Sequence, residues 1–284
     1  MVKTLILYES KYGFTEGIAR NLSLVLGPAF CCRTSQFKEN WEEYDFIVIC
    51  APINSDAADA VFQYVLKNQD IMNKKRVVLL GTCPYEAKAN QYLESLKCLL
   101  GECVVFDSAI EGEGTTEKFI ELSQHIKELK DQNIIALEDS TLNQYIDDFI
   151  NSHNTCALAT GYDRNIRATP IEYTYMNGFI YILSEGGEKF ANLIINKNVS
   201  LCIFNEFKGM NDLGGMQITG NAEFIDIGTD EYNSFLQQKG LNLNKIISMP
   251  IFLNLIKIKI RKIEFLWSDF SRAGYDVKQI AYRF

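Results

Sequence analysis

The run Phe46–Ala51 (FIVICA) is apolar at every position, and Arg76–Gly81 (RVVLLG) nearly so. A strand of this kind has no solvent face and must be covered on both sides, as in a parallel sheet sandwiched between helices. The neighbouring segments supply those helices. In Thr15–Leu26, Ile18, Leu22, Val25 and Leu26 share one face. Ala57–Met72, Lys88–Leu100 and Thr116–Leu129 also read as helices, and Thr4–Tyr8, Phe30–Arg33 and Cys103–Ser108 as further strands. Five strands alternating with helices predict an α/β doubly wound parallel sheet.

Beyond Asp131–Ser140, which reads as a linker, the pattern changes. A helix is expected next, with Thr141 and Gln144 as a capping box. Short β-type runs follow at Thr155–Thr160, Arg167–Met176, Phe179–Ser184, Val199–Glu206, Met216–Asp226 and Ile256–Trp267. Asn177-Gly178 between two of them is a hairpin signal. Short helices are expected at Glu188–Asn196 and Asp230–Gln238. This density of strands predicts a mainly antiparallel β barrel. The expected domains are residues 1–132 and 133–284.

The 284 residues suit two domains, and 47% hydrophobic residues suffice for two cores. A net charge of −8 argues against nucleic acid as a partner, because phosphate backbones need a basic face. Met1–Tyr8 runs from strand straight into loop, so no secretory leader is expected. No apolar run reaches the length of a membrane span; Pro250, Asn254, Lys257 and Lys259 interrupt the longest candidate, Ile246–Ile260. With eight scattered cysteines, none paired at two-residue spacing, and two histidines, His125 and His153, no metal site is expected. The cysteines fit reduced thiols, and the expected location is cytoplasmic.

The chemistry concentrates first in Ser10-Lys11-Tyr12-Gly13-Phe14-Thr15, between the first strand and the first helix. Helix-start N–H groups point outward without internal partners, and the helix dipole favours an anion there. Ser10 and Thr15 add hydroxyl donors, and Gly13 allows a close backbone approach. The alternative is a turn in a generic α/β domain, with Gly13 needed only for the turn.

This segment, continued from Tyr8-Glu9 to Glu16 and Ala19, resembles the flavodoxin family, in its short type related to menaquinone-dependent protoporphyrinogen oxidases. So do Ala51-Pro52-Ile53-Asn54 and Gly81-Thr82-Cys83-Pro84-Tyr85. The resemblance covers about residues 1–130. It implies strand order 2-1-3-4-5 and FMN held by Ser10–Thr15, Pro52, Ile53, Asn54, Thr82, Cys83 and Tyr85. Tyr85 is the one aromatic available to stack on the flavin ring, since the loop after Asn54 has none. Asp56 and Asp59 either burden the flavin with negative charge or simply favour the start of the following helix.

Residues 139–284 resemble the pyridoxamine 5′-phosphate oxidase-like FMN-binding split barrels. The resemblance rests on Thr155–Thr160, on Arg167-Ala168-Thr169-Pro170-Ile171, on Tyr181–Ser184 with Glu188-Lys189, on Val199–Ile203 and on Gln217–Glu223. It implies a second FMN held by Arg167, Ala168, Thr169, Pro170, Ser184, Lys189 and Gln217, and a homodimer formed through the barrel. Ser184, Lys189 and Arg167 are the hydroxyl and cations that charge-assisted bonds to phosphate require.

Two functions follow. One is an FMN-dependent oxidoreductase, with one or two FMN per chain, acting on a small substrate or electron donor. NAD(P)H is one donor to test, although no Gly-x-Gly-x-x-Gly fingerprint is present. The other is a non-catalytic flavin-binding or electron-carrier protein with one site degenerate. Haem chemistry is a third class, for which neither histidine is placed as an obvious ligand.

Overall fold

The computed structural model describes residues 1–53, 56–83, 89–111 and 115–283. The chain divides into two compact units, Met1–Ile134 and Ile135–Phe284. No helix among the described residues is long and apolar enough to cross a membrane.

The first unit contains β1 (Thr4–Tyr8), α1 (Phe14–Val25), β2 (Ala29–Arg33), β3 (Phe46–Pro52), α2 (Asp56–Met72), β4 (Arg76–Cys83), α3 (Ala89–Leu100), β5 (Val104–Glu111) and α4 (Thr115–Asp131). The strands form one parallel sheet in the order β2-β1-β3-β4-β5. Side chains alternate between its faces. Leu5, Leu7, Ile47 and Ile49 pack with Val61 and Val65 of α2 and Leu93 and Leu96 of α3. Ile6, Val48 and Val78 pack with Ile18 and Leu22 of α1 and Ile126 of α4. This is why β3 and β4 read as apolar throughout: neither face meets water. The buried Lys130 closes the end of α1 by donating to the carbonyls of Leu26 and Gly27, where a cation is favoured.

The second unit opens with α5 (Asp139–Asn151) and then β6 (Thr155–Tyr162), β7 (Asn165–Glu172), β8 (Thr174–Met176) and β9 (Phe179–Ser184). After α6 (Glu188–Ile195) come β10 (Asn198–Phe204), β11 (Gly214–Ile225), α7 (Asp230–Gln238), α8 (Leu243–Ile247), β12 (Asn254–Trp267), α9 (Ser268–Arg272) and β13 (Lys278–Tyr282). Its sheet runs β7-β6-β10-β11-β12-β9-β8, with β13 also on β12, and curls into a split barrel. All its pairings are antiparallel. The core joins α5 residues Leu142, Ile146 and Phe149 to inward residues such as Leu158, Leu201, Ile218 and Ile258. Asn177 and Gly178, at φ 52° and 82°, form the two-residue turn expected between β8 and β9. At Gly220 the β11–β12 register shifts, and a Cβ there would lie 2.6 Å from the Lys259 carbonyl oxygen.

Some local expectations change. The run Arg167–Met176 is two strands, parted at Tyr173. The Tyr173 N–H donates to Asn154 O at 2.9 Å and its hydroxyl to Ile150 O at 2.7 Å, which fastens the chain to the end of α5. Thr141 and Gln144 do not form a capping box. The helix starts three residues earlier, at Asp139, with Glu138 as N-cap and its carbonyl accepting from Leu142 N–H. The helix α8 and strand β13 were not anticipated. Asn242 marks the former, its side chain accepting from the N–H groups of Asn244 and Lys245.

Candidate functional site

In the first unit β1 and β3 are neighbours, yet the chain leaves β1 for α1 on one face and β3 for α2 on the other. Such a switch point opens a crevice at the carboxyl ends of the strands. The segment 10–13 enters it. Gly13 is the N-cap of α1, at φ 86°, and no side chain caps the helix. A Cβ on Gly13 would meet no atom within 4 Å, so the backbone there faces open space. The buried Ser10 hydroxyl accepts from Gly13 N–H at 3.0 Å. Outward N–H groups, a positive helix end and room for an anion fit a phosphate.

Thr15 is buried, and its Oγ1 lies 2.6 Å from Thr82 Oγ1. Thr82 also donates to the Ala51 carbonyl at 3.3 Å, which can only accept. Thr82 therefore accepts from Thr15, and the chain Thr15–Thr82–Ala51 ties the first turn of α1 to the carboxyl ends of β3 and β4. Ile53 N–H donates to Thr82 O at 2.8 Å. Gly81 makes room for Ile53, whose Cδ1 lies 3.1 Å from where a Gly81 Cβ would be. Pro52 and Cys83 are buried at the same edge, Cys83 beside Ile53, Tyr92 and Ala109. Tyr12 and Phe14 are exposed, and Lys11 pairs with Asp56 at 3.3 Å in solvent. Asp56 and Asp59 occupy the first turn of α2. Asn54 and Tyr85 lie outside the described residues.

Sequence reasoning passed over Arg33, the last residue of β2. Its guanidinium reaches Ser10 O at 3.1 Å, Glu9 at 3.4 Å and Glu16 at 3.1 Å. Glu9 also accepts from Thr34 Oγ1, and Glu16 from Arg20. The Arg20 bond, with Arg33 adding, holds the Glu16 carboxyl below its ordinary pKa. The signal available was an arginine ending an edge strand beside the crevice.

In the second unit Arg167, Ser184 and Lys189 come together around the turn that leads into α6. Lys189 is buried, and its ammonium donates to Gly186 O, which also accepts from Ser184 Oγ at 3.4 Å. Burial pushes the Lys189 pKa down, and the charge of Arg167 adds to the effect. Arg167 pairs with Glu188 at 2.7 Å. Across from Arg167 on β6, the buried Thr160 accepts from Asn192 Nδ2 at 3.2 Å. Ala168, Thr169 and Pro170 continue along β7, which ends the sheet. Gln217 lies elsewhere, on β11 opposite Cys202 and Glu264. It lines a mostly apolar hollow of about 330 Å³ with Phe204, Phe207, Leu213 and Leu266.

Trp267 is an aromatic-cluster residue, with Phe265 5.4 Å away and Phe149, Tyr145 and Phe270 around it. His125 is exposed against Phe106. His153 engages both ring nitrogens, with Phe149 O at 2.8 Å and Asn205 Oδ1 at 2.9 Å. Among the described residues no cluster of side chains is arranged to hold a metal ion.

Comparison with known families agrees with this division. Residues 5–106 match the model of the flavodoxin domain family, and residues 142–267 that of the pyridoxamine 5′-phosphate oxidase family. No curated protein matches the chain. Among solved structures, Campylobacter jejuni ChuZ is 20% identical with a TM-score of 0.39. That match covers 55% of this chain and 65% of ChuZ, less than two thirds of its length. HutZ, the heme storage protein from Vibrio cholerae, is 14% identical with a TM-score of 0.36, over 42% of this chain and 90% of that one. Rv2991, a conserved protein of Mycobacterium tuberculosis, is 23% identical with a TM-score of 0.35, over 47% and 86%.

Proposed function

We propose that this chain, a flavodoxin-like unit joined to a pyridoxamine 5′-phosphate oxidase-like unit, is an FMN-binding oxidoreductase that passes electrons between flavin and a small substrate or acceptor. The observation that carries the reading is the hydrogen-bond chain Thr15–Thr82–Ala51. It joins an uncapped helix start to the carboxyl ends of β3 and β4 at the sheet's switch point. The N–H groups of Lys11, Tyr12, Phe14 and Thr15 and the Ser10 hydroxyl hold the phosphate. Pro52 and Ile53 border the ring. Bound flavin supplies the redox chemistry, while the protein orients it, limits water and sets its potential.

In the second unit Lys189, Ser184 and Arg167 hold a second FMN phosphate beside β7, within a homodimer formed through the barrel. A buried ammonium and an exposed guanidinium suit a dianion. A one-flavin reading competes, because Glu188 already neutralises Arg167 and a phosphate must displace its carboxylate. In that case the second unit serves chiefly for dimerisation.

The test is the absorbance spectrum and flavin stoichiometry of the purified protein, followed by reduction with NADH or NADPH. Two FMN per chain supports two redox centres, and one supports the degenerate form. Absence of flavin binding, or a haem spectrum in its place, overturns the proposal. Turnover with a small acceptor separates an enzyme from a carrier.

A further inference from the structure

The segment 10–13 is short and irregular, Phe14 and Thr15 begin α1, and carboxylates crowd both ends of the stretch. Glu9 precedes it and Glu16 follows it, with side chains only 14% and 26% exposed. Both acids stand at the ends of the segment that is to receive a phosphate dianion. Their charge, left alone, opposes such a ligand. Arg33 answers both from the neighbouring strand. One guanidinium nitrogen meets Glu9 and the Ser10 carbonyl, and the other meets Glu16. The guanidinium carbon also sits 5.6 Å from the centre of the Tyr8 ring, on the strand that feeds the loop. The fork therefore touches the last residue of β1, the entry to the loop and the first turn of α1.

We infer that Arg33 is a positioning residue that clamps both ends of the phosphate loop, neutralises its flanking carboxylates, and makes the site select phosphorylated over unphosphorylated flavin. This rests on the proposed FMN site of the first unit. Arg33 does not itself touch the ligand. Only a planar fork with donors on two sides makes these contacts together, so lysine is an incomplete substitute. Glu16 keeps a second partner in Arg20, and Glu9 keeps Thr34. Removing Arg33 thus leaves the fold its other anchors and changes mainly the charge and position of the loop.

The selectivity is measurable because riboflavin shares the ring of FMN and lacks its phosphate. Fluorescence titrations with FMN and with riboflavin use the full chain carrying Arg167→Gln and Lys189→Met, so that the second unit does not contribute. Arg33→Met is expected to weaken FMN binding about tenfold and leave riboflavin binding within about twofold. Arg33→Lys falls between. In the Arg33→Met background, Glu16→Gln restores the net charge around the loop and recovers most of the lost FMN affinity. Equal weakening of both ligands, or no recovery with Glu16→Gln, overturns the clamp while the flavin site stands. If the parent shows no preference for FMN over riboflavin, the phosphate reading of the loop falls, and the clamp with it. Circular dichroism of each variant identifies a folding failure; should Arg33→Met fail to fold, the comparison of Arg33→Lys with Arg33→Lys/Glu16→Gln decides in the same way.

Discussion

Replacing Thr82 by valine keeps its shape and deletes its hydroxyl. Thr82 is buried, and its Oγ1 is the partner of the equally buried Thr15 hydroxyl at 2.6 Å. The variant strands a buried O–H, which costs about 1–3 kcal/mol, and also removes the longer bond to Ala51 O, a smaller loss. Thr15→Val alone is milder, about 0.5–1.5 kcal/mol, because Thr82 keeps its donation to Ala51. In the double variant no hydroxyl is stranded. Thr15→Val, destabilising in the parent, then becomes neutral or stabilising in the Thr82→Val background, a coupling of about 1–2 kcal/mol. The chain has two tryptophans, Trp41 in the first unit and Trp267 in the second. In a Trp267→Phe background, urea unfolding followed by tryptophan fluorescence reports on the first unit. If the two single costs simply add, within about 0.5 kcal/mol, the two hydroxyls are not partners and the tie between the loops is refuted.

Gly13→Ala pays for a positive φ, about 1–2 kcal/mol, and nothing for contacts, since its Cβ meets open space. FMN titration should show a larger loss of affinity than the unfolding curve shows of stability; equal losses would mean that the ligand does not approach Gly13. Gly220→Ala forces a Cβ to within 2.6 Å of the Lys259 carbonyl oxygen. It should destabilise the second unit by about 1–3 kcal/mol or more while leaving the first unit's transition unchanged, as read by calorimetry. Lys189 has a pKa below the ordinary 10.5 in the free protein, and a phosphate dianion raises it again. FMN affinity at that site is then full below the free-protein pKa and declines above it, starting short of the ordinary lysine range; titrations over pH should show the decline, and Lys189→Met should abolish it.

The parallel sheet was legible because burial on both faces writes itself into sequence: β3 and β4 can be read as strands without knowing their neighbours. The loop 10–15 was legible for a similar reason, since a glycine and hydroxyls at a strand-to-helix turn have local meaning. The partners of those residues had no such signature. Thr15 meets Thr82 across 67 positions, and Arg33 reaches Glu9 and Glu16 from another strand. Arg167 and Lys189 were read as two cations that hold a phosphate, yet one already pairs with Glu188 and the other with the Gly186 carbonyl. A charge in a sequence states its sign and leaves its partner unsaid. That difference bears on function. In the first unit the structure adds support around an anion seat whose helix start stays uncapped. In the second, both cations already have partners, and a phosphate must compete with a carboxylate for one of them. If only one flavin is bound per chain, these contacts favour the first unit as the proposed site.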